Sequence, residues 1–149
     1  MPRGKFIRPI TIEDVEYLAH ALAREHLAFD EPIPEFGTRP AHKLESCLLT
    51  PFQTFDGKDL YPTLIDKAAI LFYLMIKNHP FLNGNKRIAI TTLQTFLWLN
   101  GKWLRASPEE LYNLTVFVAM SPRELKEQMV GILREFVRKF LVDSQTQST

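Results

Sequence analysis

From Ala68 to Ile76 the chain is apolar on every side of any helix it could form. A helix with a single apolar stripe can lie on a surface, but one that is apolar all round has to be wrapped by other elements. A bilayer cannot supply the wrapping, because crossing one takes about 20 apolar residues. It must come from the rest of the 149 residues, enough chain for one domain with a real core. The segment is therefore expected at the centre of a helical bundle.

The remaining chain supplies the wrapping helices. Thr11 fits an N-cap, with Glu13 and Asp14 suited to the first turn and Val15, Leu18, Ala19 and Leu22 at helical spacing. Residues 29–37, with Pro32, Pro34 and Gly37, read as a loop. A short second helix is expected from near Pro40, with Ala41, Leu44 and Leu48 on one side, ending at Pro51. Asp56-Gly57 is a hairpin-turn signal, so residues 52–60 read as a short exposed hairpin or flap. Pro62 or Thr63 opens the central helix, which runs to about Lys77.

Residues 78–84 break the pattern, and a fourth helix follows from Asn85 to Leu99, stopped by Asn100-Gly101. Ser107 to Glu110 and Ser121 to Glu124 both read as capping boxes with proline at the first helical position. In the last helix Leu125, Met129, Ile132, Leu133, Phe136, Val137 and Phe140 form one apolar face. The expected fold is all-α: a bundle of about six helices with one hairpin before the central pair. Residues 1–142 are expected to form one domain, and 143–149 a disordered polar tail.

Charge and cysteine content narrow the function. Eighteen basic against 17 acidic side chains give a formal charge of +1, which argues against extended nucleic-acid binding. The single cysteine, Cys47, has no disulfide partner in the chain and reads as an apolar filler. Residues 1–8 lack the apolar stretch of a secretory leader, so a cytoplasmic location and no membrane contact are expected.

The chemistry is expected between the two most buried helices, in the run from His79 to Arg87. Gly84 permits a tight turn and close approach of backbone to a ligand. The helix that follows starts with unpaired N–H groups and the positive end of a dipole, an anion site. Asn85 can add an amide, and Lys86 and Arg87 add two cations. His79 is a candidate general base, since imidazole titrates near neutrality. Taken singly, such a histidine is more often a cap, and such a Lys-Arg pair is more often solvated. Phe81 and Leu82 read as core anchors.

Together His79, Phe81, Gly84, Asn85 and Arg87 resemble the Fic motif, H-x-F-x-(D/E)-(G/A)-N-(G/K)-R. The flanking segments around residues 37–48, 60–69, 96–101 and 107–115 look like those of death-on-curing proteins. Lys86, where most Fic enzymes have glycine, points to that branch, and so does Ile90 in place of a final arginine.

The resemblance implies a Fic fold and an enzyme, a transferase moving the γ-phosphate of ATP to a serine or threonine of a protein target. His79 would be the base, Phe81 the anchor of the loop, and Gly84, Asn85, Lys86 and Arg87 the phosphate site. It further implies a toxin acting on the translation machinery, restrained by a separate antitoxin polypeptide. The hairpin matches the family's target-holding flap, with Thr54, Phe55, Asp56 and Gly57 at its tip. The motif's carboxylate, which holds Mg2+, is Asn83 here. An amide oxygen lacks the charge that favours a hard cation. An AMP-transferase on the same site, and a weakened protein that only binds nucleotide or peptide, are the alternatives.

Overall fold

The computed structural model describes residues 6–26 and 32–144. Helix α4 (Leu64–Lys77) is the axis of the bundle, buried from Lys67 to its end, as its all-round apolar sequence requires. Thr63 caps it: the side chain accepts from Asp66 N, and the Asp66 carboxylate accepts from Thr63 N. Helix α5 (Asn85–Leu99) packs on one side of α4, and α6 (Pro108–Met120) and α7 (Lys126–Phe140) also lie against it. The expected helical fold is what the described residues form. Among them, no helix is long and apolar enough to cross a membrane.

The first helix enters at α1 (Ile12–Asp14), capped by Thr11 as expected, and continues through a π-helical segment (Val15–His20) into α2 (Ala21–His26). A π turn adds a residue to the helical repeat and rotates everything after it. That rotation explains a departure from the expected stripe. Val15 and Ala19 are buried, but His20 and Ala23 then take the inner positions while Leu22 faces out. Helix α3 (Lys43–Leu49) starts later than expected, after a turn that leaves His42 in the left-handed region at φ 72°. Pro51 ends it in a 3-10 turn. Cys47 is fully buried, and burial pushes its thiol up to about 11, so it is an inert filler.

The hairpin is present: β1 (Thr54–Phe55) pairs antiparallel with β2 (Lys58–Asp59). Asp56 and Gly57 both have positive φ, the geometry of the tight turn their sequence signals. A second ribbon was not expected. Strand β3 (Lys102–Leu104) pairs with β4 (Leu141–Asp143), tying the end of α7 back to the end of α5. Asp143 therefore belongs to the fold and not to a tail; it pairs with Lys102 at 2.6 Å. Ser144 N likewise donates to Gly101 O at 3.0 Å, while residues 145–149 of the expected tail lie outside the described residues, as do residues 29–31 of the expected loop.

The capping box at Ser107 forms, but the one at Ser121 does not. Ser121 directly follows α6, where terminal carbonyls need donors. Its hydroxyl donates to Val118 O at 2.6 Å, and a 3-10 turn over Arg123–Leu125 leads into α7 instead. The inner face is narrower than expected: Leu125 falls in the 3-10 turn before α7, and both it and Ile132 on α7 are exposed.

Candidate active site

The loop from α4 to α5 is held at both ends and in its middle. At its start, the buried Lys77 donates to Ser121 O at 2.5 Å and Ala119 O at 3.3 Å, fixing the end of α4 to the end of α6. In the middle, Phe81 is buried and its ring lies 5.5 Å from His20 and 5.7 Å from Phe36. His20 in turn bonds Pro34 O at 3.0 Å. At its end, Gly84 has φ 76°, and an added Cβ would lie 2.7 Å from Ile33 Cγ1. Phe81 is thus packed in the core between the loop and the rings of His20 and Phe36.

Leu82 is not an anchor. It is 63% exposed, because Phe81 has taken the inward position and the next residue must point out. Asn85 also acts differently from expectation. Its Oδ1 accepts from Phe81 N at 2.8 Å and its Nδ2 donates to Phe81 O at 2.9 Å. Both ends of the amide are committed to bracing the loop against the first turn of α5, so Asn85 shapes the loop from behind.

The loop encloses a cavity of about 220 Å³ lined by His79, Leu82 to Arg87, and Tyr112 of α6. Arg87 is buried and Lys86 half-buried along this wall, at the N-terminus of α5. Gly84 gives no side-chain cap to that turn. The N-terminal end of the helix dipole and two cations therefore converge on one cavity, an arrangement suited to a polyphosphate.

His79 stands exposed at the cavity rim with φ 48°, a left-handed conformation that is uncommon for a side-chain-bearing residue. Desolvation, then Lys86, Lys43, Lys77 and Arg123, hold its imidazole below its ordinary pKa of 6.5. At neutral pH the ring is therefore uncharged and able to accept a proton.

The cavity does not fit as a protein-held magnesium site. Its lining has no carboxylate, and Asn83 Oδ1 already accepts from Gly84 N at 2.8 Å. Magnesium sites normally draw on one or two carboxylates besides substrate phosphates. Among the described residues, no group of three His, Cys, Asp or Glu side chains could hold a metal.

The hairpin is not brought to this cavity. Thr54, Phe55, Asp56 and Gly57 are exposed, and none of them lines it. The buried Lys67 explains why. From the first turns of α4 it donates to Tyr61 O at 2.6 Å and Pro51 O at 3.1 Å, with Asp59 at 3.6 Å. That fastens both legs of the hairpin at the N-terminal end of α4, whereas His79 follows its C-terminal end. The segment that does lie on the loop contains Ile33 and Phe36.

Four residues of the site had no sequence signal: Tyr112, His20, Ile33 and Phe36 come from other parts of the chain and meet the loop only through the fold. Lys67 could have been noticed, as a lysine abutting an all-apolar run.

A family model described as the Fic/DOC family matches residues 9–97. Over 72 residues the chain is 40% identical to Toxin Doc of Mycolicibacterium smegmatis, which covers 48% of this chain and 55% of that protein. The chain thus spans about half the length of the curated relative it matches. No solved structure matches it.

Proposed function

The chain belongs to the Fic/DOC family, and from that premise we propose that it transfers the γ-phosphate of ATP to a serine or threonine hydroxyl of a protein target. The observation that carries this is a neutral, exposed His79 on the rim of a cationic cavity at the start of α5. In this reading the nucleotide phosphates lie against Lys86, Arg87 and the N-terminus of α5. The target's hydroxyl oxygen bonds to the γ-phosphorus, and the bond from that phosphorus to the β–γ bridging oxygen breaks, releasing ADP. His79 takes the hydroxyl proton and later gives it to solvent.

Lys86 favours γ-transfer over AMP transfer. Glycine there would leave the backbone open to α- and β-phosphates, whereas a lysine adds bulk and charge at that point and turns the γ-phosphate towards His79. Magnesium supplies charge neutralisation when it arrives on the nucleotide; since the cavity residues do not fit as its ligands, every step above belongs to the chain's own groups. The biological role that goes with this chemistry is a toxin acting on the translation machinery and restrained by a separate antitoxin polypeptide.

The test is transfer of label from γ-labelled ATP to protein in a cell extract. His79→Ala should lower the rate by about 10² to 10⁴ while leaving ATP affinity intact. Equal labelling by the variant would remove His79 from the reaction and the proposal with it.

A further inference from the structure

A second cavity, of about 380 Å³, lies beside the residue that precedes His79. It is lined by His42, Lys43 and Ser46 at the start of α3, by Asn78, and by Arg123 from the turn before α7. Asn78 is the residue directly before His79. No carboxylate lines this cavity. Lys43 and Arg123 make no ion pair or side-chain hydrogen bond among the described residues, so both charges face the cavity without a protein counter-ion.

Backbone strain marks the same place. Among the described residues, three non-glycine residues have positive φ: Asp56, His42 and His79. Asp56 is explained by its hairpin turn. The other two flank this cavity, one in its lining and one next to Asn78. Strain of this kind persists where the surrounding structure imposes it, and it clusters at working sites. Both cations also help to hold the His79 pKa down, so they lie within electrostatic reach of the base.

We propose that this cavity is an acceptor subsite, which takes a carboxylate side chain of the protein target lying close in sequence to the hydroxyl that is modified. This rests on the transfer reading above. The donor phosphates already have cations and a helix terminus on the Lys86 side, and His79 must touch the acceptor oxygen itself. A target segment reaching His79 therefore has its neighbouring residues over Asn78, Ser46, Lys43 and Arg123. In an extended segment, side chains two residues apart share a face and lie roughly 7 Å apart. The preferred acid is thus the second residue from the hydroxyl. Lysine and arginine on separate elements suit a carboxylate by charge and by hydrogen bonding to Ser46 and Asn78.

Two short peptides with a central serine test this, one with glutamate and one with glutamine at the second position on either side. Nuclear magnetic resonance titration of the wild-type protein should show the glutamate peptide shifting the Ser46 and Asn78 amides, with affinity about tenfold above the glutamine peptide. The preference should vanish in Lys43→Gln/Arg123→Gln, whose exposed side chains can be changed without touching the core. Equal binding of the two peptides, or no shift at Ser46 and Asn78, overturns the subsite.

This arm needs no transfer activity, so it stands apart from failure of the transfer reading, which would show as no labelling by the wild type. In the labelling assay at about pH 8, where His79 is neutral in both proteins, the double variant should raise KM for the protein target about tenfold. Its maximal rate and ATP affinity should not move. A loss of ATP affinity instead would make the cavity part of the nucleotide site and overturn the proposal.

Discussion

Replacing Gly84 with alanine tests how tightly the loop is built. The family pattern admits alanine at this position, but two features of this chain oppose it. The backbone sits at φ 76°, where a Cβ costs about 1–2 kcal/mol. The new Cβ would also lie 2.7 Å from Cγ1 of the buried Ile33, close to the side chain's branch point and not at its flexible end. Relieving that overlap costs about 1–3 kcal/mol more. The sum, roughly 2–5 kcal/mol, corresponds to a melting point lowered by roughly 5–15 °C in a chain of this size. Gly57→Ala is the internal control, because Gly57 has the same φ of 76° and nothing within 4 Å. It should show the backbone cost alone. Ile33→Ala destabilises by itself, since it empties a buried site, but combined with Gly84→Ala it should cost clearly less than the sum of the two. Thermal and urea unfolding of the four variants measures this coupling. If Gly84→Ala costs no more than Gly57→Ala, or the Ile33 and Gly84 effects simply add, the loop is not seated against Ile33 as described.

Two further predictions concern the chemistry. Because burial and neighbouring cations lower the proton affinity of His79, the neutral base persists to lower pH than in a free histidine. The pH profile of kcat/KM should therefore rise with pH through a midpoint below 6.5 and then level off. Lys86→Gln removes the largest single charge effect on the ring and should move that midpoint up towards 6.5; an unmoved midpoint would detach it from His79. Asn83→Asp puts a charged oxygen where the amide now bonds Gly84 N, so isothermal titration should show tighter Mg2+ binding with nucleotide and the assay faster transfer. No change in either would mean that the position does not serve the metal.

What could be read from the sequence was what local chemistry dictates. The N-cap at Thr11, the capping box at Ser107, the tight turn at Asp56-Gly57 and the all-apolar α4 formed as their residues require. Ser121 failed because the same serine that can open a helix can also close the one before it. With α6 ending at Met120, the carbonyls of its last turn won. The β3–β4 ribbon was hidden because its strands are three residues each and lie far apart in the chain, too short for alternation to show.

In the site, residues of one contiguous motif were legible, and their uses were less so. Asn85 looks like a ligand amide, yet it is spent on Phe81, and only the folded loop reveals that. Leu82 and Phe81 are both apolar, and apart from the motif resemblance, which names Phe81, hydropathy alone does not say which of two adjacent side chains turns inward. His20 reaches Phe81 through a π turn that breaks the very periodicity from which its helix was read.

The most direct test of the whole account is a parallel reaction of the purified protein with α-labelled and γ-labelled ATP, in the presence of Mg2+ and a cell extract. Only one of the two labels can reach protein in a single displacement, because the attacking hydroxyl keeps the phosphorus it bonds to. The γ label should appear on protein serine or threonine with ADP released, and His79→Ala should lower both by about 10² to 10⁴. Protein labelled from α-labelled but not γ-labelled ATP, with pyrophosphate released, would contradict it and assign the site to AMP transfer.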